Sequence, residues 1–62
     1  MTRAEQHTMV ETLKDYMHKM RGLDLDEFEM IRKRDRDDED LDALTLHRLS
    51  ELYQQYVPAR LR

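Results

Sequence analysis

The side chains with most chemistry to offer lie in one run, KRDRDDEDLDAL, from Lys33 to Leu44. Asp35, Asp37 and Glu39 alternate like the first ligands of an EF-hand loop. Such a loop needs Gly at its sixth position for a sharp turn and a bidentate Glu at its twelfth. Here those positions hold Asp40 and Leu46, so the run lacks a calcium signature. Carboxylates at a helix N-terminus accept orphan amide hydrogen bonds and suit the dipole, and the run predicts the opening of a helix. The histidines, His7, His18 and His47, form no i,i+4 pair and no HExxH motif, so no metal site is expected. Ser50, His47 and Glu51 are a nucleophile, a base and an acid on adjacent turns. They supply no nucleophile elbow and no oxyanion hole. No nucleophile, base and oxyanion donor converge, and the expectation is a protein that is not an enzyme. The five methionines suit a small core or a soft interface better than a cofactor, and none is expected.

Bulk composition narrows the class further. The 62 residues are 39% hydrophobic and 40% charged, with one Gly, one Pro and no Cys. So few turn residues among so much charge predict an all-α chain rather than a β-sandwich. Disorder is the competitor at such charge, but the apolar residues fall at helical spacing. Without cysteine there is no disulfide framework and no thiolate chemistry. No apolar run is long enough to cross a bilayer and no signal-peptide core is evident, which predicts a cytoplasmic protein. A net charge of −3 argues against direct high-affinity nucleic-acid binding. It favours a basic protein partner.

Three helices are expected in one small domain spanning 1–62. The first runs from about 3 to 21, with Met9, Val10, Leu13, Tyr16, Met17 and Met20 along one face. Thr2 and Glu5 have capping-box spacing, and Gly22 sits where a left-handed terminator belongs. The second runs from about 24 to 34, opened by a capping box of Asp24 and Glu27. Leu25, Phe28 and Ile31 point inward, and Glu29 and Lys33 are spaced for an i,i+4 pair. The third runs from about 37 to 57 and stops at Pro58, leaving a short tail. Its leucines and tyrosines spread over about 200° of the helical wheel, roughly twice what two neighbours need. Either the domain wraps this helix unusually fully, or one side meets a second chain, as in a homodimer.

Read in order, several segments resemble the Hha/YmoA family of small nucleoid-associated modulators. TLKDYMHKMR (12–21) is similar to that family's opening helix, and LDEFEMIRKR (25–34) to its second. DDEDL (37–41) falls where the family has an acidic turn. HRLSEL (47–52) resembles the most recognisable part of its long helix, and Val57-Pro58 a Pro before its last short helix. The resemblance covers about residues 12–62, so residues 1–11 form an N-terminal helical extension. It implies an all-helical co-regulator that binds the N-terminal domain of the nucleoid-structuring protein H-NS or a paralogue. By motif position, Asp26 and Glu29 would meet basic side chains of that partner. Three residues apart on a helix, both share a face and can grip one guanidinium. Where the family has an acid before His-Arg this chain has Leu46, so a third contact is missing.

Two functional expectations follow. The first is a non-enzymatic modulator of gene expression, cytoplasmic and nucleoid-associated in a bacterium. It would bind an H-NS-like protein through Asp26 and Glu29, with Asp37, Asp38 and Asp40 adding negative field. The second is a self-associating phage or plasmid protein that acts as inhibitor or adaptor of a host protein. It would use an apolar interface of Leu46, Leu49, Tyr53 and Tyr56, because tyrosine is favoured at interfaces.

Overall fold

Thr2 and Glu5 close the expected capping box: Glu5 N donates to Thr2 Oγ1 at 3.1 Å, and Thr2 N donates to Glu5 Oε1 at 3.2 Å. From that cap, in a computed structural model describing residues 2–61, α1 runs Arg3–Lys14. Two further helices follow, α2 at Leu23–Arg36 and α3 at Ala43–Tyr56. Single 3₁₀ turns occupy Met17–Lys19 and Ala59–Leu61. Each helix packs on both others, so the protein is an all-α bundle of three helices. Val10, Leu13, Met20, Phe28, Ile31, Leu41, Leu49, Leu52 and Val57 form its core. All but Val57, which follows the last helical turn, lie on the stripes read from the sequence.

α1 and α3 are shorter than the helices expected over 3–21 and 37–57, and size explains why, whereas α2 slightly exceeds the expected 24–34. A helix over 3–21 would be about 28 Å long and one over 37–57 about 31 Å, at 1.5 Å per residue. The whole fold measures 25 × 25 × 18 Å, so either helix would overrun the core meant to cover it. The first stripe instead stops at Lys14, tightens into the 3₁₀ turn and becomes extended at Met20 (φ −83°, ψ 143°). That route brings Met20 into the core at 3% exposure. Residues 3–11 are no loose appendage, since Gln6 and Val10 are buried beside the other helices.

Gly22 does not terminate α1; it precedes α2. At φ 57° and ψ −128° it occupies a conformation that side chains with a Cβ rarely adopt, and nothing lies within 4 Å of where a Cβ would be. Its requirement is backbone strain alone. Gly22→Ala is therefore expected to destabilise the fold by about 1–3 kcal/mol. Urea denaturation checks this, and an unchanged midpoint would show that the turn accepts another conformation.

The acidic run first closes α2, at Asp37–Glu39, and only its last carboxylate, Asp42, opens α3. Asp38 adopts φ 66°, which Asp tolerates better than most residues. Asp38 N donates to Asp35 O at 3.1 Å and Glu39 N to Arg34 O at 3.0 Å. This is a Schellman motif with Asp where Gly is usual. Leu41 then enters the core at 6% exposure, ahead of any helix. Asp42 caps α3 by accepting from Thr45 N at 2.7 Å. At its far end, Val57 is extended ahead of Pro58, as the ring of a following proline favours.

Candidate functional site

Phe28 and Ile31 fix the orientation of α2, because both are buried. On a 100° wheel that places Asp26, Lys33 and Asp37 on the outermost line, with Glu29 and Met30 flanking it on opposite sides. Glu29 faces the groove between α1 and α2, alongside His7, Lys14 and Arg32. Met30 faces a groove of about 220 Å³ between α2 and α3, opposite Leu44. Asp26 and Glu29 are both exposed. Among the described residues no ion pair engages either carboxylate, and the expected Glu29–Lys33 pair is not made.

Most other acids in this region are committed within the chain. Asp24 and Glu27 do not form a capping box; both turn toward α3. Arg48 Nη2 donates to Asp24 Oδ1 at 2.5 Å and Arg48 Nε to Glu27 Oε2 at 3.0 Å. The Tyr56 hydroxyl donates to Asp24 Oδ2 at 2.6 Å. That hydroxyl, followed by the Arg48 guanidinium, holds the Asp24 carboxyl below the usual carboxylate range. Near the other end of α2, Asp35 accepts from Gln6 Nε2 at 3.2 Å and lies 2.7 Å from His7 Nδ1. The same carboxylate raises the His7 imidazole above its ordinary range, first by hydrogen bonding and then by charge.

Asp38 and Asp40 are partly neutralised by Arg3, which reaches their carboxylates at 3.1 and 3.0 Å and also donates to the Asp38 carbonyl. These acids sit at the negative end of the α2 dipole, an unfavourable place for them. Arg3 supplies offsetting positive charge from α1, while His7 hydrogen-bonds the nearby Asp35. Asp37 is exposed and, among the described residues, makes no ion pair. Of the five acids expected to meet a partner, Asp26, Glu29 and Asp37 are thus free, while Asp38 and Asp40 help to fasten α1.

The apolar candidates on α3 divide differently. Leu49 has 0% exposure and belongs to the core of the single chain, which corrects its expected place in an interface. Leu46, Tyr53 and Tyr56 are half-buried against that core. Tyr56 is further held by Asp24. The broad arc of α3 is therefore spent mainly inside the domain, with Leu44 left at 83% exposure. Ser50 accepts from Gln54 Nε2 at 3.5 Å, and His47 lies 3.8 Å from Glu51.

Sequence reasoning missed Arg48 as a hub and the Gln6–His7–Asp35 clasp. Both join polar residues 21 to 29 positions apart, and polar side chains carry no periodic signal of their partners. The site defines a class: a small helical bundle with an unpaired acidic face and no helix, among the described residues, long and apolar enough to cross a membrane. No protein-family model, curated protein or solved structure matches this chain.

Proposed function

We propose that this chain is a non-enzymatic, nucleoid-associated modulator of gene expression that binds the N-terminal domain of an H-NS-like protein. The observation that carries the reading is the selective freedom of Asp26 and Glu29. In a helix whose neighbouring acids are paired internally, these two are exposed and unpaired. They are also the positions that the resemblance to the Hha/YmoA family marks as partner contacts. Ionised carboxylates offered to Arg or Lys make charge-assisted hydrogen bonds roughly twice as strong as neutral ones. Asp37, on the same outer line, adds negative potential that steers a basic partner toward the face.

The test is capture of a purified H-NS N-terminal domain by the immobilised chain at low and raised salt. Wild-type capture is expected to weaken as salt rises. Asp26→Lys/Glu29→Lys is expected to abolish it with helicity unchanged, since both residues lie on the surface. Failure of the wild-type chain to capture removes the partner. Equal capture by the charge-reversed chain removes the site.

A further inference from the structure

The ridge Asp26–Met30–Arg34 on α2 has one property that binding a foreign protein does not require. It reads acid, apolar, base at four-residue steps, and Met30 lies at the centre of the helix Leu23–Arg36. Such ridges are the units that interdigitate when helices pack. Turned through a twofold axis at Met30, the ridge is complementary to itself. Met30 meets Met30, Asp26 meets Arg34 of the second copy, and Arg34 meets its Asp26. A twofold contact requires this self-complementarity of one surface patch.

The centre of the patch is apolar and open. Met30 is 61% exposed and Leu44, across the groove on α3, 83%. Ile31 forms the floor between them and Arg34 stands at the rim. Among the described residues Arg34 has no ion-pair partner, and neither has Asp26. A ridge with the same charge sign at both ends would place like charges opposite one another and cost affinity. We infer that the α2–α3 groove around Met30 and Leu44 binds a second copy of this chain, with the two α2 helices antiparallel across a twofold axis. The contact is one helix face and one leucine, less than the roughly 800 Å² per partner of a standard interface. The dimer is therefore weak and dependent on concentration.

Sedimentation equilibrium on the purified chain tests this without any other protein. The wild type is expected to dimerise as its concentration rises toward about 1 mM. Asp26→Lys turns both flanking contacts repulsive and is expected to raise the dissociation constant about tenfold or more. Arg34→Asp does the same. The double variant Asp26→Lys/Arg34→Asp exchanges the signs within both contacts and restores dimerisation, a rescue that general damage to the fold does not produce. Circular dichroism confirms that each variant stays helical. A wild type that is monomeric throughout overturns the inference and leaves the groove to a different protein. So does a dimer that the single variants do not weaken, or one that the double variant fails to rescue. Asp26 lies in both proposed surfaces, but this readout needs no H-NS-like protein, so its failure leaves the partner reading untouched.

Discussion

Replacing Phe28 by alanine is expected to leave much of the chain unfolded at 25 °C. Phe28 is the largest fully buried side chain, at 0% exposure, and it sits on the inner face of α2 among core residues of all three helices. Truncating a buried phenylalanine costs about 3–5 kcal/mol, combining lost transfer free energy with the cavity left behind. At 0.05–0.15 kcal/mol per residue, 62 residues hold a total of roughly 3–9 kcal/mol. One deletion therefore removes a third to all of the stability. The core cannot redistribute the loss, because among the described residues it contains nine buried apolar side chains and no second layer. Met30→Ala, two residues along but 61% exposed, should stay within about 0.5 kcal/mol of wild type. Urea titrations followed at 222 nm separate the two. A Phe28→Ala midpoint close to that of Met30→Ala would mean that the core has been placed on the wrong face of α2.

The contrast between those neighbours was legible in the sequence. Leu25, Phe28 and Ile31 are three apart, and no arrangement but a helix puts them on one side. The same spacing identified Val10, Leu13, Leu49 and Leu52. Where the helices stop was less legible, for two different reasons. The stripe from Met9 to Met20 is continuous, yet the bundle is only 25 Å long, and its length is a property of the whole fold. The acidic run was ambiguous locally, since carboxylates suit a helix start by dipole and cap. The decisive element was Asp38 entering a left-handed conformation at φ 66°. The run therefore ends α2 at its electrostatically worse terminus, and Arg3 is drawn in from α1 to compensate. On the candidate site, motif position marks Asp26 and Glu29, but nothing local in the sequence distinguishes them from Asp24 and Glu27. That distinction depends on Arg48, 21 and 24 positions away.

Arg48 is accordingly the residue whose loss should reach furthest beyond its own position. Arg48→Met preserves much of the side chain's length while removing the guanidinium that joins Asp24 and Glu27 to α3. Breaking a fully buried pair costs about 3–5 kcal/mol. Here the three side chains are 24–33% exposed, so water screens part of the loss, and about 1–3 kcal/mol is expected at pH 7. The pH dependence identifies the cause. Asp24 titrates below the usual carboxylate range in the folded chain, held there first by the Tyr56 hydroxyl and then by Arg48. A carboxyl depressed on folding stabilises fully above its unfolded value, about 3.9, and that contribution is lost as pH falls through the folded value. The deficit of Arg48→Met against wild type should therefore be largest near neutrality and shrink as pH falls through the lowered range of Asp24. Tyr56→Phe should also reduce the acid sensitivity, because it removes the hydrogen bond that lowers Asp24 most. Urea midpoints at pH 7 and pH 2.5 decide the matter, and a deficit equal at both would assign Arg48 to packing by its methylenes. The result also bears on partner binding, since Arg48 holds the N-terminal half of α2 against α3 and so sets the direction in which Asp26 projects. If Arg48→Met weakens capture of an H-NS N-terminal domain while the chain remains folded, the acidic face works as a surface of fixed geometry rather than as free charge.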